Sequence, residues 1–597
     1  MVISAWIVAV QIASMAAKSF WFGLPAGMIF LSVAGFALWL GRRNNGTPVA
    51  EESPIAVSRG MWLGMSAVAV LAALLAFKGY FHDMLLPNNG HMDITAQLQN
   101  DYFPPRYIGF TNVPLRYHYG SDLLAAGSTA LARLRVDWAI DIVLVCACCY
   151  FWCLLWLLGQ RLTGTSRGGV WTALATLFGG GATVFFAPFL SSIPWIDRLI
   201  GTETFEAGMA VNPPLASIIF QRPFTLGLPL ATAVLLTACK PLAQQTPSRQ
   251  VSRQVLLWLL LAALSLSQTA LFVSLSATLA FTELVLARRS PFLLTLAAAW
   301  GAAWLMGGML FTHVPNGGSF GFDYGFWPNV IHNLKGDSIA VSAVRVFAWH
   351  VATFGALLPL GVWGLWHVCR MRAALVLLAI GGVAVPLFVV VHPYMKNISK
   401  FSTVAALAFG ILAGAALTWL ANRQTLGRRA ALVACAIALM ASPVVCLGTT
   451  LWILFVGREV PKPTEVLAIR GSPVLLTEED QQAVRWLRRH VLPDQIIYRF
   501  PETAIGYCQW GGLPATSAVV RFAPAFGISE DRLAERRRLL EDLPANLDAY
   551  IRQGIVWFVV GPDDPRMERN VRNWRNAGEV VEKAEFGALQ IYKVPAT

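Results

Sequence analysis

One polar stretch concentrates the residues able to do chemistry. Residues 87–128 read PNNGHMDITAQLQNDYFPPRYIGFTNVPLRYHYGSDLLAAGS. Asn88-Asn89-Gly90 marks a helix start, and Pro104-Pro105 predicts its end. Asp93, Gln97 and Asp101 stand four apart, which puts them on one helical face. Arg106, Arg116, Tyr117, His118 and Tyr119 follow, with His91 just ahead. A positioned carboxylate takes a proton from a hydroxyl, and guanidinium or imidazole holds an anionic leaving group. An acid near a helix start also complements the dipole, and for any one carboxylate that plainer role is the commoner. Three acids compete. Asp83 follows an apolar span closely and marks the interface. Asp101 lies at the helix end, where an anion opposes the dipole and needs a cation such as Arg106. Asp93 lies near the helix start, two residues after His91.

The elements that must carry this loop are membrane helices. The chain has 597 residues, 56% hydrophobic and 13% charged, against about 25% charged in soluble proteins. Mean hydropathy is +0.56 and the pI about 9.5. From Gly457 onward nineteen Lys and Arg balance nineteen Asp and Glu, so the net +13 belongs to the first 456 residues. That excess sits in short loops between apolar spans, the pattern of a membrane protein and not of a nucleic-acid binder. Cys146, Cys148, Cys149 and Cys153 lie within such a span without His or carboxylate neighbours, and read as packing residues. Met1–Ala17 lacks the basic start of a cleavable signal.

A spanning helix needs about 20 apolar residues, and about thirteen spans emerge. They lie near 2–17, 20–40, 60–80, 138–158, 168–188, 216–238, 254–268, 270–287, 292–311, 343–366, 373–392, 401–421 and 430–456. Cations at both ends of 254–287, Arg253 and Arg288-Arg289, predict a hairpin bent around Ser265–Gln268. With the N-terminus inside, Arg42, Arg59, Arg161, Arg167, Arg253, Arg370 and Arg428 share the cytoplasmic side. Asp83, Asp93, Asp101, Asp122, Asp197, Glu203 and Asp323 share the other. The expected architecture is mainly α: a polytopic helix bundle over 1–456, its first outer loop at 81–137, in an inner (cytoplasmic) membrane. Residues 457–597 form a soluble α/β domain outside it. Within that tail, helices are expected from Thr477 to His490, Ser529 to Leu543, Asn546 to Gln553 and Arg566 to Ala577. Strands are expected at 495–500, 555–560 and 588–594. Arg536-Arg537-Arg538, ringed by Glu535, Glu541 and Asp542, reads as a solvated face.

The stretch His91–Ala126, an acid followed by Phe103-Pro104-Pro105 and Tyr117-His118-Tyr119-Gly120, resembles the GT-C superfamily of membrane glycosyltransferases. Asn212-Pro213-Pro214 with Gln221-Arg222-Pro223, the outer turn Lys396–Phe401 (KNISKF), and the tail's VWFVVGP strand and LQIYKV ending are similar to further parts of that group. The loop lacks the paired acids of many members, and no WWDYG-type acceptor motif is present, which disfavours peptide glycosylation. The resemblance implies a sugar moved from a polyprenyl-phosphate donor to an acceptor hydroxyl, with inversion and with membrane lipids around it. It implies Asp93 as general base, with His91, Asp101, Arg106, Arg116, His118, Gln221, Arg222, Lys396 and Lys400 binding substrate. No nucleotide or nicotinamide cofactor is needed, and a divalent metal stays open, as do sugar and acceptor (glycan, lipid or protein). Lys396 and Lys400 serve equally well by snorkelling to headgroups, whereas Arg222 lies several residues into an apolar stretch, where charge is costly. Two other readings stand beside this one. A lipid-linked glycan transporter would call for ionisable residues at mid-membrane, and the spans hold almost none: Asp141 lies near one end of its span and Glu283 near an end of another. A non-catalytic subunit of GT-C-like fold would fit the missing second acid.

The parity of the loops makes a direct prediction. A reporter that works only after export, fused behind Thr597, is expected to be active. Activity there of a reporter confined to the cytoplasm would overturn the sidedness of every loop.

Overall fold

The computed structural model describes residues 2–44, 58–79, 91–107, 109–111, 113, 115, 118–181, 218, 222–239, 247–287, 290–306, 320–322, 350, 353–368, 371–391, 400–422, 425–456, 476–516 and 528–595. It is mostly helical, with a small sheet near the C-terminus, the architecture the sequence predicts. The apolar part runs through α1 (Val2–Ala17), α2 (Phe20–Asn44), α3 (Arg59–Gly79), α4 (His91–Gln99), α5 (Gly120–Ala132), α6 (Val136–Thr163) and α7 (Ser166–Phe178). It continues through α8 (Arg222–Ala238), α9 (Pro247–Ser267), α10 (Thr269–Phe281), α11 (Ser290–Leu305), α12 (Leu357–Gly364), α13 (Arg372–Phe388), α14 (Lys400–Ala421) and α15 (Leu426–Val456). Among the described residues, four helices are long and apolar enough to cross a membrane, and six shorter apolar helices accompany them.

The bundle has two chemically distinct ends. At one, Arg161 donates to the Leu236 carbonyl, while Arg253 donates to those of Thr237 and Ala238 at 2.8 and 2.9 Å. Arg167 reaches Ala421 O, and Arg428 lies 4.2 Å from the Trp419 ring centroid. These cations meet the C-termini of α8 and α14, whose terminal carbonyls lack helical partners and carry the negative end of the dipole. Because each helix traverses the bundle once, Arg222 and Lys400, which open α8 and α14, stand at the opposite end. The chain breaks between α9 and α10 at Gln268, whose extended backbone and side-chain cap of Ala270 N–H match the bend expected there.

Close helix approach depends on small residues. On α14, Gly410 and Gly414 face Thr176 and Thr172 of α7, and a Cβ on Gly414 would fall 2.3 Å from the Thr172 Cα. This Gly-x-x-x-Gly spacing lets two backbones touch where lipid offers no hydrophobic gain on association. One expected span ends differently. Residues 373–392 form α13 only to Phe388, and β2 (Val389–Val391) then pairs antiparallel with β1 (Phe320–Phe322). Three β-branched residues in a row favour the extended chain once a partner strand is present.

The C-terminal layer comprises α16 (Glu478–Leu487), β3 (Ile496–Tyr498), α17 (Pro501–Gly511), α18 (Glu530–Asp542), α19 (Leu547–Ile551), β4 (Ile555–Val560), α20 (Pro565–Asn576), β5 (Val581–Phe586) and β6 (Leu589–Lys593). Strand order is β3-β4-β6-β5, with β3 parallel to β4 and the other pairs antiparallel. Thr477, Ser529 and Asn546 cap their helices through side-chain oxygens, which sets these starts where the sequence puts them. Two elements were not foreseen. β5 is an edge strand whose charges hide its alternation. α17 opens with Pro501 and closes at Gly512, signals that its mixed composition obscured.

The α7–α14 contact is open to test. Gly414→Val is expected to cost about 1–3 kcal/mol through overpacking, read as a lower unfolding temperature in detergent. Gly381→Ala, with nothing within 4 Å of the added Cβ, should leave that temperature near the parent's.

Candidate active site at the loop end of the bundle

The short helix α4 carries the first two candidates. Met92 through Leu98 are all buried, and Asp93 is 0% exposed. Asp93 sits in the first turn, where backbone N–H groups and the dipole favour a carboxylate. His91 opens the helix, and its Nδ1 lies 3.0 Å from both carboxylate oxygens of Asp122. Asp122, itself buried in the first turn of α5, therefore orients the His91 ring.

His118 and Lys400 complete the cluster. His118 is buried ahead of α5, and its Nδ1 lies 3.0 Å from Thr269 Oγ1 at the start of α10. Burial, then the positive charge of Lys400, then His91, push its pKa well below the ordinary histidine value. His118 is thus a neutral imidazole at physiological pH, suited to hydrogen bonding. The approach is tight. A Cβ on Gly120 would lie 2.5 Å from Ser267 Oγ at the end of α9. Tyr119 accepts a hydrogen bond from Gln11 Nε2 at 2.7 Å, and burial pushes its hydroxyl up to about 12.

Two predicted ligands are engaged by the scaffold. Asp101 has a left-handed backbone (φ 65°), and its carboxylate accepts from Ser19 Oγ at 2.8 and 2.9 Å and from Trp21 N–H at 3.1 Å. It caps α2, so the partner expected in Arg106 is supplied by a hydroxyl and a helix start. Arg106 donates to the Thr111 carbonyl at 3.0 Å. Gln97 grips the Arg106 backbone, accepting from its N–H at 2.8 Å and donating to its carbonyl at 3.1 Å. α4 ends at Gln99, ahead of the two prolines expected to stop it. Arg222 opens α8. Arg116, Gln221 and Lys396, with Asp83, lie outside the described residues.

The structure thus brings together His91, Asp122, His118 and Lys400 beside α4, which holds Asp93. Asp122 and Thr269 escaped sequence reasoning. An acid in a first turn reads as a dipole complement, and a threonine between two apolar helices carries no signal of its own.

No protein-family profile and no curated protein matches the sequence. Among solved structures, the chain is similar to ArnT from Cupriavidus metallidurans bound to undecaprenyl phosphate, at 13% identity over 90% of this chain and 99% of that one, with a TM-score of 0.42. It is also similar to the Archaeoglobus fulgidus oligosaccharyltransferase in its apo form, at 13% identity over 84% and 70% of the two chains, TM-score 0.42. The archaeal oligosaccharyltransferase AglB from Archaeoglobus fulgidus, in complex with an inhibitory peptide and a dolichol-phosphate, gives 12% identity over 90% of this chain and 75% of that one, TM-score 0.42.

The state of His118 leads to a pH prediction. A histidine held neutral in the fold gains its proton on unfolding, so stability falls as pH drops below the unfolded value of about 6.5. The unfolding temperature should therefore fall between about pH 7 and about pH 5, and His118→Gln should flatten part of that fall. An identical pH profile in the variant would show that His118 is not held neutral.

Proposed function

We propose that this protein is a membrane glycosyltransferase that moves a sugar from a polyprenyl-phosphate donor to an acceptor hydroxyl at the loop end of the bundle, the non-cytoplasmic side by the cation parity. The observation that carries the reading is the enclosed Asp93, in the first turn of a helix lodged beside His91–Asp122, His118 and Lys400.

In this reading the acceptor oxygen attacks the anomeric carbon while its proton passes to a carboxylate oxygen of Asp93. The bond from the anomeric carbon to the phosphate oxygen breaks, its electron pair leaves with the lipid phosphate, and the centre inverts. The departing anion needs positive charge at the membrane surface. Arg222 and Lys400 supply it from the first residues of α8 and α14. A cation at a helix start is opposed by its own helix dipole, so an anion at either start gains from both the charge and the helix N-terminus. His91, aligned by Asp122, and neutral His118 are placed to bond sugar hydroxyls.

Asp93→Asn in the full chain, reconstituted in lipid nanodiscs with a polyprenyl-phosphate sugar, should lower turnover by about two to four orders of magnitude with donor binding kept. Asp83→Asn should change little, and Arg222→Met should weaken binding of polyprenyl phosphate. Near-parental transfer by Asp93→Asn would move the base elsewhere. A parent chain inactive with every donor sugar would favour a non-catalytic subunit.

A further inference from the structure

We infer that the C-terminal α/β layer is a working part of this site, with Gly512 and Arg536 acting as positioning residues that set α4, and so Asp93, in place. The inference rests on the reading of α4 as the catalytic helix.

The layer grips the α4 segment along its length. Gly512 ends α17 with φ +59°, and a Cβ there would fall 2.4 Å from both Ala96 C and Gln97 N, the α4 backbone itself. Only a residue without a side chain lets the two backbones meet. Just beyond α4, Asn100 donates to the Gly511 carbonyl and accepts from Arg488 Nε at 2.6 Å. Tyr102 donates to Val491 O at 3.0 Å, and Thr111 donates to Asp494 O at 2.9 Å.

Arg536 pins the far end. Expected to be solvated, it is 1% exposed. Its Nη1 donates to Gly109 O at 2.8 Å, its Nη2 donates to Gln553 O at 2.9 Å, and the guanidinium lies 4.7 Å from the Phe110 ring centroid. Burial, then Arg532, pull its pKa down to about 10, so it stays charged at neutral pH. A charged group in so dry a place is costly unless its donors are used, and here one of them goes to the loop. Gly512 presses on α4 three residues from Asp93, within one rigid turn. Misplacement of a catalytic group by about 1 Å costs about 100-fold in rate.

Three variants of the full chain in nanodiscs test this. Gly512→Ala and Arg536→Met disturb the grip. Gly578→Ala imposes the same kind of strain (φ +76°) with nothing within 4 Å of the added Cβ. The first two should speed amide hydrogen exchange across residues 91–111 and lower kcat about tenfold or more, with KM for the lipid donor within about threefold. Gly578→Ala should do neither. Unchanged exchange in 91–111, or faster exchange at unchanged kcat, would overturn the inference. So would failure of both grip variants to fold while Gly578→Ala folds, since the contact would then serve stability alone. Exchange needs no turnover. A parent chain inactive with every donor would sink the transferase reading and leave exchange to decide whether the layer holds α4.

Discussion

A helix of nine residues does not hold itself together in water, where nucleation costs more than so few hydrogen bonds return. α4 persists because it is enclosed. Ile94 and Leu98 pack into the bundle core, while Met92 and Ala96 pack with Ala125, Ala139 and Val143 of α5 and α6. The end of α17 closes the remaining side. The candidate machinery hangs from this helix or faces it, so its geometry is no better fixed than the enclosure.

The polar groups around α4 fall into two kinds. Gln97, Asn100, Asp101 and Arg106 bind backbone groups or caps and hold the loop's shape. His91, Asp122, His118 and Lys400 gather where α5, α10 and α14 meet the loop. Burial gives the second group its character, since a neutral imidazole and a ring fixed by a carboxylate both depend on exclusion of water. The α/β layer is tied in by donors such as Arg536 and Tyr102, each satisfied by a backbone carbonyl across the contact. Such bonds depend on backbone shape and leave side-chain identity on the accepting side unconstrained.

Much of this was legible in the amino-acid sequence, because it follows from local physics. Apolar runs long enough to cross a bilayer, cations gathered on one parity of loops, and Ser, Thr or Asn before a helical run all act through neighbours in the chain. The bend at Gln268, the start of α4 with Asp93 in its first turn, and the charged helix beginning after Ser529 came from such signals. Other features depend on residues far apart in sequence, and only the tertiary structure decided them. Asp101 reads as needing a cation until Ser19 and Trp21 are seen beneath it, 82 and 80 residues away. Arg536 looks solvated until Gly109, 427 residues distant, accepts its hydrogen bond. Asp122 becomes more than a dipole complement once His91 is set against it. Periodicity and charge report which groups must be buried or kept on one side. Which partner each buried group finds is settled by packing, and one sequence read along its length carries no record of that.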